Sequence, residues 1–231
     1  MNIPDVPDII SSLIDRMEIP ESAFEQLIYE LETRPLPVNE YRKKVGEGRS
    51  QAFGLVHRRS APVDFSRYCW KRPYLYHLLL DFANEYVKIP WTSITVNQNY
   101  AAGPHFDKHN TGPSFLIAFG SYSGGELKVH SSGPLQGLHD ICRKPLVMDF
   151  TSNLHSVEPF QGSRYSLVFY QIQKIPVELG DIVGSVKYED NRYYFYRGEE
   201  RIKDGLPHAL KGRKRGPKAT SIGGPVTVTF D

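Results

Sequence analysis

Apolar residues recur at helical spacing at Ile9, Ile10, Leu13, Ile14 and Met17, and the pattern returns after Pro20 at Phe24, Leu27, Ile28 and Leu31. The chain is therefore expected to open on two short amphipathic helices, the second stopped by Pro35 and Pro37. A polar stretch over 40–51 follows, whose Arg42, Lys43, Lys44 and Arg49 read either as a solvated loop or as contacts to an anionic substrate. Residues 52–57 form an apolar strand pattern. Pro73 then begins a helix that carries Leu75, Leu78, Leu79, Phe82, Ala83 and Tyr86 and ends before Pro90. His77 falls among these apolar neighbours and is expected at the core boundary, without an acid at a pairing offset.

Periodicity then changes from 3.6 to 2. Residues 92–100 alternate β-branched and polar side chains, which makes a strand with Asn97 and Asn99 on one face. Residues 114–119 are continuously apolar and predict a core strand, 120–125 a turn, and 126–130 another alternating strand. Strands are expected at 145–150 and 164–173, with His155 on the turn between them. Composition shifts near Glu178, where Gly180, Asp181 and Gly184 mark a boundary. The expected division is one domain over 1–177, made of a helical layer 1–50 and a β core of about 51–177, and a C-terminal extension over 178–231. The extension shows a hairpin over 186–202 turning at Asp190-Asn191, and a last edge strand over 224–230.

Length and composition narrow the class. A chain of 231 residues is too short for two full catalytic domains, and 40% hydrophobic residues exclude disorder of the whole. The formal charge of +2 is uninformative globally, but residues 211–218 hold five cations and no acid: Lys211, Arg213, Lys214, Arg215 and Lys218. This segment is either a phosphate-binding arm for nucleic acid or a solubilising tail. Only Cys69 and Cys142 are present, so a disulfide framework or a zinc ribbon is not expected and both read as buried thiols. The first residues carry acids and prolines in place of a basic, apolar secretory signal, and no apolar run is long enough to span a bilayer. An intracellular compartment, cytoplasmic or nuclear, is the expectation.

The chemistry-bearing residues lie between 97 and 170. His105 and Asp107, two apart, leave the same face of an extended backbone, and His155 supplies a second imidazole. Two imidazoles and a carboxylate with open positions form the facial triad of non-haem iron(II) sites. His109, His130 and His139 sit in loop or strand-end contexts and are expected at the surface or behind the ligands.

In His105-x-Asp107, in Gly124-Gly125-Glu126-Leu127, and in the run from His155 through Pro159 and Gly162 to Arg164, the chain resembles the iron(II)- and 2-oxoglutarate-dependent dioxygenases. The resemblance covers roughly the middle third of the chain. It implies an α+β, β-dominated fold with a double-stranded β-helix (jelly-roll) core, iron(II) on His105, Asp107 and His155, and 2-oxoglutarate with its distal carboxylate on Arg164. Dioxygen is the third reactant, and hydroxylation of a C–H bond is the outcome. Ser166 is a second contact for that carboxylate by its position on the same strand face, and Asn97, Asn99 and Tyr100 are placed to hydrogen-bond the cosubstrate or orient the metal surroundings.

Several substrates fit. The His155-to-Arg164 segment is similar to the prolyl hydroxylase branch, which usually has lysine at the Arg164 position. Arginine there is similar to the oxidases of methylcytosine and thymine. The alkylated-base demethylases carry a second arginine where this chain has Tyr170. With the basic tail, the reading leans to a nucleic-acid base. A prolyl or other protein side-chain hydroxylase is the alternative, a small-molecule hydroxylase stays open, and a non-catalytic jelly-roll binding module is the rival of a different class. All four positions hold competent residues, which favours turnover.

Overall fold

The structure is a computed structural model that describes residues 17–38, 46–58, 61–175 and 184–202. Ile9 to Ile14 of the first expected helix, Arg42 to Lys44, the boundary around Glu178 to Asp181, the basic tail and the last edge strand lie outside the described residues. Among the described residues no helix is long and apolar enough to cross a membrane.

The helical layer begins with a 3-10 turn, Glu21–Phe24, that continues into α1, Glu25–Thr33. It packs on α3, Pro73–Tyr86, where Pro73 occupies the first turn and Leu75, Tyr76, Leu79, Leu80, Phe82 and Ala83 form the buried stripe. Phe24 joins the layers, with its ring centroid 5.5 Å from Phe82 and 4.5 Å from Phe119. His77 Nε2 lies 3.3 Å from Asp81 Oδ2. The expectation that no acid would partner His77 is thereby corrected, because residues four apart on a helix are neighbours. A short helix α2, Tyr68–Lys71, precedes α3 and had no periodic signal of its own.

The strands are β1 Gly46–Arg58, β2 Ala61–Phe65, β3 Ser93–Ala102, β4 Asn110–Gly124, β5 Leu127–Val129, β6 Gly137–His139, β7 Leu146–Met148, β8 His155–Val157 and β9 Phe160–Ile172. A large sheet has the order β2-β1-β3-β9-β4-β7, and a small one has the order β6-β5-β8. His105 extends the small sheet by an antiparallel bridge to His155. The chain thus passes from β3 in the large sheet to His105 in the small one, back to β4, over to β5 and β6, back to β7, over to β8 and back to β9. This alternation is a double-stranded β-helix, β-dominated with flanking helices.

The large sheet is buried on both faces, which explains the continuous apolar run of residues 115–119. Phe115, Ile117 and Phe119 face the helical layer, while Leu116 and Ala118 join Leu127, Val129, Leu146, Met148 and Phe150 between the sheets. The turn expected over 120–125 shortens to its end, because residues 120–124 continue β4 opposite 160–164. Their glycine- and serine-rich composition resembles a turn, yet it is what close strand approach requires. Gly120 has φ +112°, and a Cβ there would meet Ser163 O at 2.3 Å. His155, expected on a turn, opens β8.

A third sheet, β10 Gly184–Glu189, β11 Arg192–Arg197 and β12 Glu200–Ile202, turns at Asp190 and Asn191, both at positive φ as a type I′ hairpin needs. Phe195 on β11 is fully buried, with ring centroids 5.1 Å from Phe65 and 5.8 Å from Tyr76. Arg197 Nη2 lies 2.7 Å from Asp64 Oδ1 on β2.

Candidate metal centre

The bridge between His105 and His155 is a reciprocal pair: His105 N–H donates to His155 O at 2.9 Å, and His155 N–H donates to His105 O at 3.1 Å. This pairing brings two imidazoles from distant parts of the chain to a ring-centroid separation of 4.3 Å. Asp107 is fixed by its own N–H donating to Phe150 O at 3.0 Å, and its Oδ1 lies 3.7 Å from His105 Nε2. One ligand atom from each of His105, Asp107 and His155 lies within 4.8 Å of the others, the one such group among the described residues.

Both rings are oriented by the backbone. His105 Nδ1 is 2.8 Å from Gly103 O, and His155 Nδ1 is 2.9 Å from Asn153 O. A carbonyl only accepts, so each Nδ1 carries the proton and each Nε2 presents its lone pair to the shared centre. Burial of His155, against the Phe150 ring 4.6 Å away, pulls its imidazole below the usual value and favours the neutral ring that a metal requires. The donor set and its orientation fit a divalent, six-coordinate metal with positions left open.

Arg164 lies on β9, 2% exposed, with its Cζ 5.5 Å from the Tyr122 ring centroid and 5.6 Å from that of Phe160. Its Nε and Nη2 are buried without a hydrogen-bond partner among the described residues. Burial pulls the guanidinium below its usual value. Two unused donors on a buried cation call for an anion with two oxygens, which fits the distal carboxylate of a dicarboxylic acid. Gly125 makes room for this side chain: its φ is +74°, and a Cβ would come within 2.9 Å of Arg164 Cδ and Nε.

A cavity of about 470 Å³ joins these groups, within the range of small-molecule sites. His105, Asp107, His155, Arg164, Ser166, Asn97 and Tyr100 all line it. Asn97 stands opposite Ser166 across the β3–β9 pair, and its Nδ2 donates to Ser166 Oγ at 3.1 Å. Asn99 does not line it, which corrects the expectation that it shares a face with Asn97. Register with β1 slips between Glu47 and Arg49, and Asn99 sits at φ +50°, so an extra residue shifts the alternation and puts Tyr100 on the inner face. From outside, Asn99 Oδ1 accepts the Arg164 N–H at 2.8 Å.

The other histidines separate from the centre. His130 Nε2 bonds Ser156 Oγ at 2.8 Å, His139 Nε2 bonds Leu135 O at 2.7 Å, and His109 lines the cavity mouth with its ring 6.3 Å from His57. Arg49, read as a possible substrate contact, donates to Leu36 O. The reading of residues missed the aromatic pair around Arg164, Tyr122 and Phe160, and the wall residues His57, Thr95 and Tyr170. Thr95 had a signal, since it shares the alternation of Asn97; His57 had none, because only the β1–β3 pairing brings it near.

No family model and no curated protein matches the sequence. Among solved structures, the chain is similar to NgTET1 in complex with 5mC DNA, at 14% identity over 67% of this chain and 69% of that one, with a TM-score of 0.46. A Pseudomonas putida prolyl-4-hydroxylase is 15% identical over 68% and 90%, with a TM-score of 0.44. An oxidoreductase of the 2OG-Fe(II) oxygenase family from Burkholderia pseudomallei is 16% identical over 74% and 91%, with a TM-score of 0.44.

Proposed function

We propose that this chain is an Fe(II)- and 2-oxoglutarate-dependent dioxygenase that hydroxylates a C–H bond, with a nucleic-acid base as the favoured substrate. The observation that carries the reading is the convergence of two oriented Nε2 atoms and one carboxylate beside a buried guanidinium with two unused donors. Iron, when bound, supplies the activation of dioxygen that side chains lack. His105, Asp107 and His155 hold it. Arg164 takes the distal carboxylate of 2-oxoglutarate, and Ser166, two residues along the same inner face, stands beside that contact with Asn97 behind it. Leu116, Leu127, Phe150, Val157 and Val168 give the cavity an apolar wall that limits water at the reacting atoms.

The lean to a base is supported by arginine at position 164 and by Lys211, Arg213, Lys214, Arg215 and Lys218, which lie outside the described residues. A prolyl or other protein side-chain hydroxylase is the second reading, favoured by the Pro159 and Gly162 spacing. The test is succinate release from 2-oxoglutarate by iron-loaded protein offered DNA, RNA, peptide and metabolite pools in turn. His105→Ala, Asp107→Ala and His155→Ala are each expected to abolish release and metal binding, while His130→Ala and His139→Ala retain both. Full activity in His155→Ala overturns the assignment.

A further inference from the structure

Charge in the cavity closes at one end and stays open at the other. Around the centre a bound divalent cation and the Arg164 guanidinium would be matched by the Asp107 carboxylate and a bound dicarboxylate. Asp107 is the one acid among the described residues lining the cavity. The inward residues of β9 run from Arg164 through Ser166 and Val168 to Tyr170, and six strand residues cover about 20 Å. A five-carbon diacid held by Arg164 would fill the Arg164 end of that length. The end at Tyr170 is left for another molecule.

That end carries positive charge and hydrogen-bond donors. Lys108 directly follows Asp107, and no carboxylate among the described residues pairs with it. His57 and His109 face each other across 6.3 Å between ring centroids, too far to bond one another and wide enough to bracket an oxyanion. Thr95 Oγ1 and Tyr170 OH, 3.2 Å apart on the neighbouring strands β3 and β9, add hydroxyls to the same lining.

Resting on the dioxygenase reading, we infer that this mouth is the substrate subsite and that it selects an anionic group, a phosphate or a carboxylate, held by Lys108, His57 and His109. Since Lys108 adjoins a metal ligand, the anion is held within about one extended side chain of the centre, and the C–H bond attacked lies only a few bonds from it. Lys108, His57 and His109 are exposed at this mouth, and a neutral substrate would gain nothing from the lysine's charge or from the two imidazole donors.

The test uses the full chain loaded with Mn(II) and 2-oxoglutarate, titrated by calorimetry at low ionic strength with inorganic phosphate, a nucleoside monophosphate and benzoate. At least one of the three is expected to bind without displacing 2-oxoglutarate, the phosphates marking a phosphorylated substrate and benzoate a carboxylate. Lys108→Glu is expected to weaken that binding at least tenfold and His57→Ala about threefold, with 2-oxoglutarate affinity within twofold of the parent as a check on folding. Lys128→Ala, a surface cation beside Glu158 on the small sheet, changes neither. No binding by any of the three, or binding that competes with 2-oxoglutarate and is lost in Arg164→Ala instead of Lys108→Glu, overturns the inference. A parent that fails to bind 2-oxoglutarate overturns the dioxygenase reading, while the anion titration still reports on the mouth by itself.

Discussion

Gly125 holds no ligand atom, yet the position of the Arg164 side chain depends on its missing Cβ. An alanine there meets Arg164 Cδ and Nε at 2.9 Å and must also hold φ +74°, a region that L-residues rarely adopt. Gly125→Ala is therefore expected to displace the guanidinium and weaken 2-oxoglutarate binding several-fold while metal affinity stays near the parent's; equal loss of both would mean that the centre itself has moved. Cys69 makes a second residue-scale test. It is fully buried, its Sγ accepts the Gly54 N–H at 3.2 Å, and burial pushes its thiol up from 9.0 to about 12. Cys142 is half-buried, which corrects the expectation that both thiols are buried, and the thiolate is the reactive form, so between pH 7 and 9 the native protein is expected to alkylate at Cys142 and not at Cys69, as peptide mapping would read. The folded-state value lies above the unfolded one, so the contribution of Cys69 to stability is complete below pH 9 and falls as pH rises toward 12.

At the scale of elements, α1 and α3 are tied by a buried ion pair. Arg72 Nη2 donates to Glu30 Oε1 at 2.7 Å and to Glu30 O at 3.1 Å, and both residues are no more than 6% exposed. Glu30→Ala leaves the guanidinium buried without its carboxylate, and chemical denaturation is expected to show a loss of about 3–5 kcal/mol. Replacing both residues by Met should recover most of it, since two apolar side chains of similar volume leave no stranded charge. The same layer meets the barrel through Gln98 on the outer face of β3, which donates to Leu31 O at 3.2 Å and accepts the Leu36 N–H at 3.1 Å. One strand thus fastens the helical layer with Gln98 and lines the cavity with Asn97, just before its bulge, and Tyr100, within it.

At the scale of the molecule, Phe195 draws the third sheet into the main core, where it meets Phe65, Trp70 and Tyr76. Phe195→Ala is expected to cost about 3–5 kcal/mol as cavity formation in a packed core does. If residues 178–231 act as an extension that folds apart from the barrel, the variant should show two thermal transitions with the barrel's midpoint unchanged. A single transition lowered as a whole would place β10–β12 in the same cooperative unit.

Much of the site could be read from the chain because its signals are local. His105 and Asp107 are two apart, the alternation of residues 92–100 is a period-2 pattern, and Asp190-Asn191 is turn chemistry that needs no distant partner. The helix from Pro73 was legible for the same reason, its apolar stripe and its starting proline lying within one segment. Signals that depended on a neighbouring strand were not legible. The glycines of 120–125 look like a turn until residues 160–164 lie beside them, and the alternation carrying Asn97 toward Asn99 is broken by a bulge that exists only in register with β1. His57, Tyr122 and Phe160 belong to the site only through strand pairing and ring packing. Local sequence determined which residue types could serve a metal and a dicarboxylate. The tertiary structure alone decided which faces met, because strand pairing joins residues far apart in the chain and a shift of one position turns a side chain from the cavity to the outside.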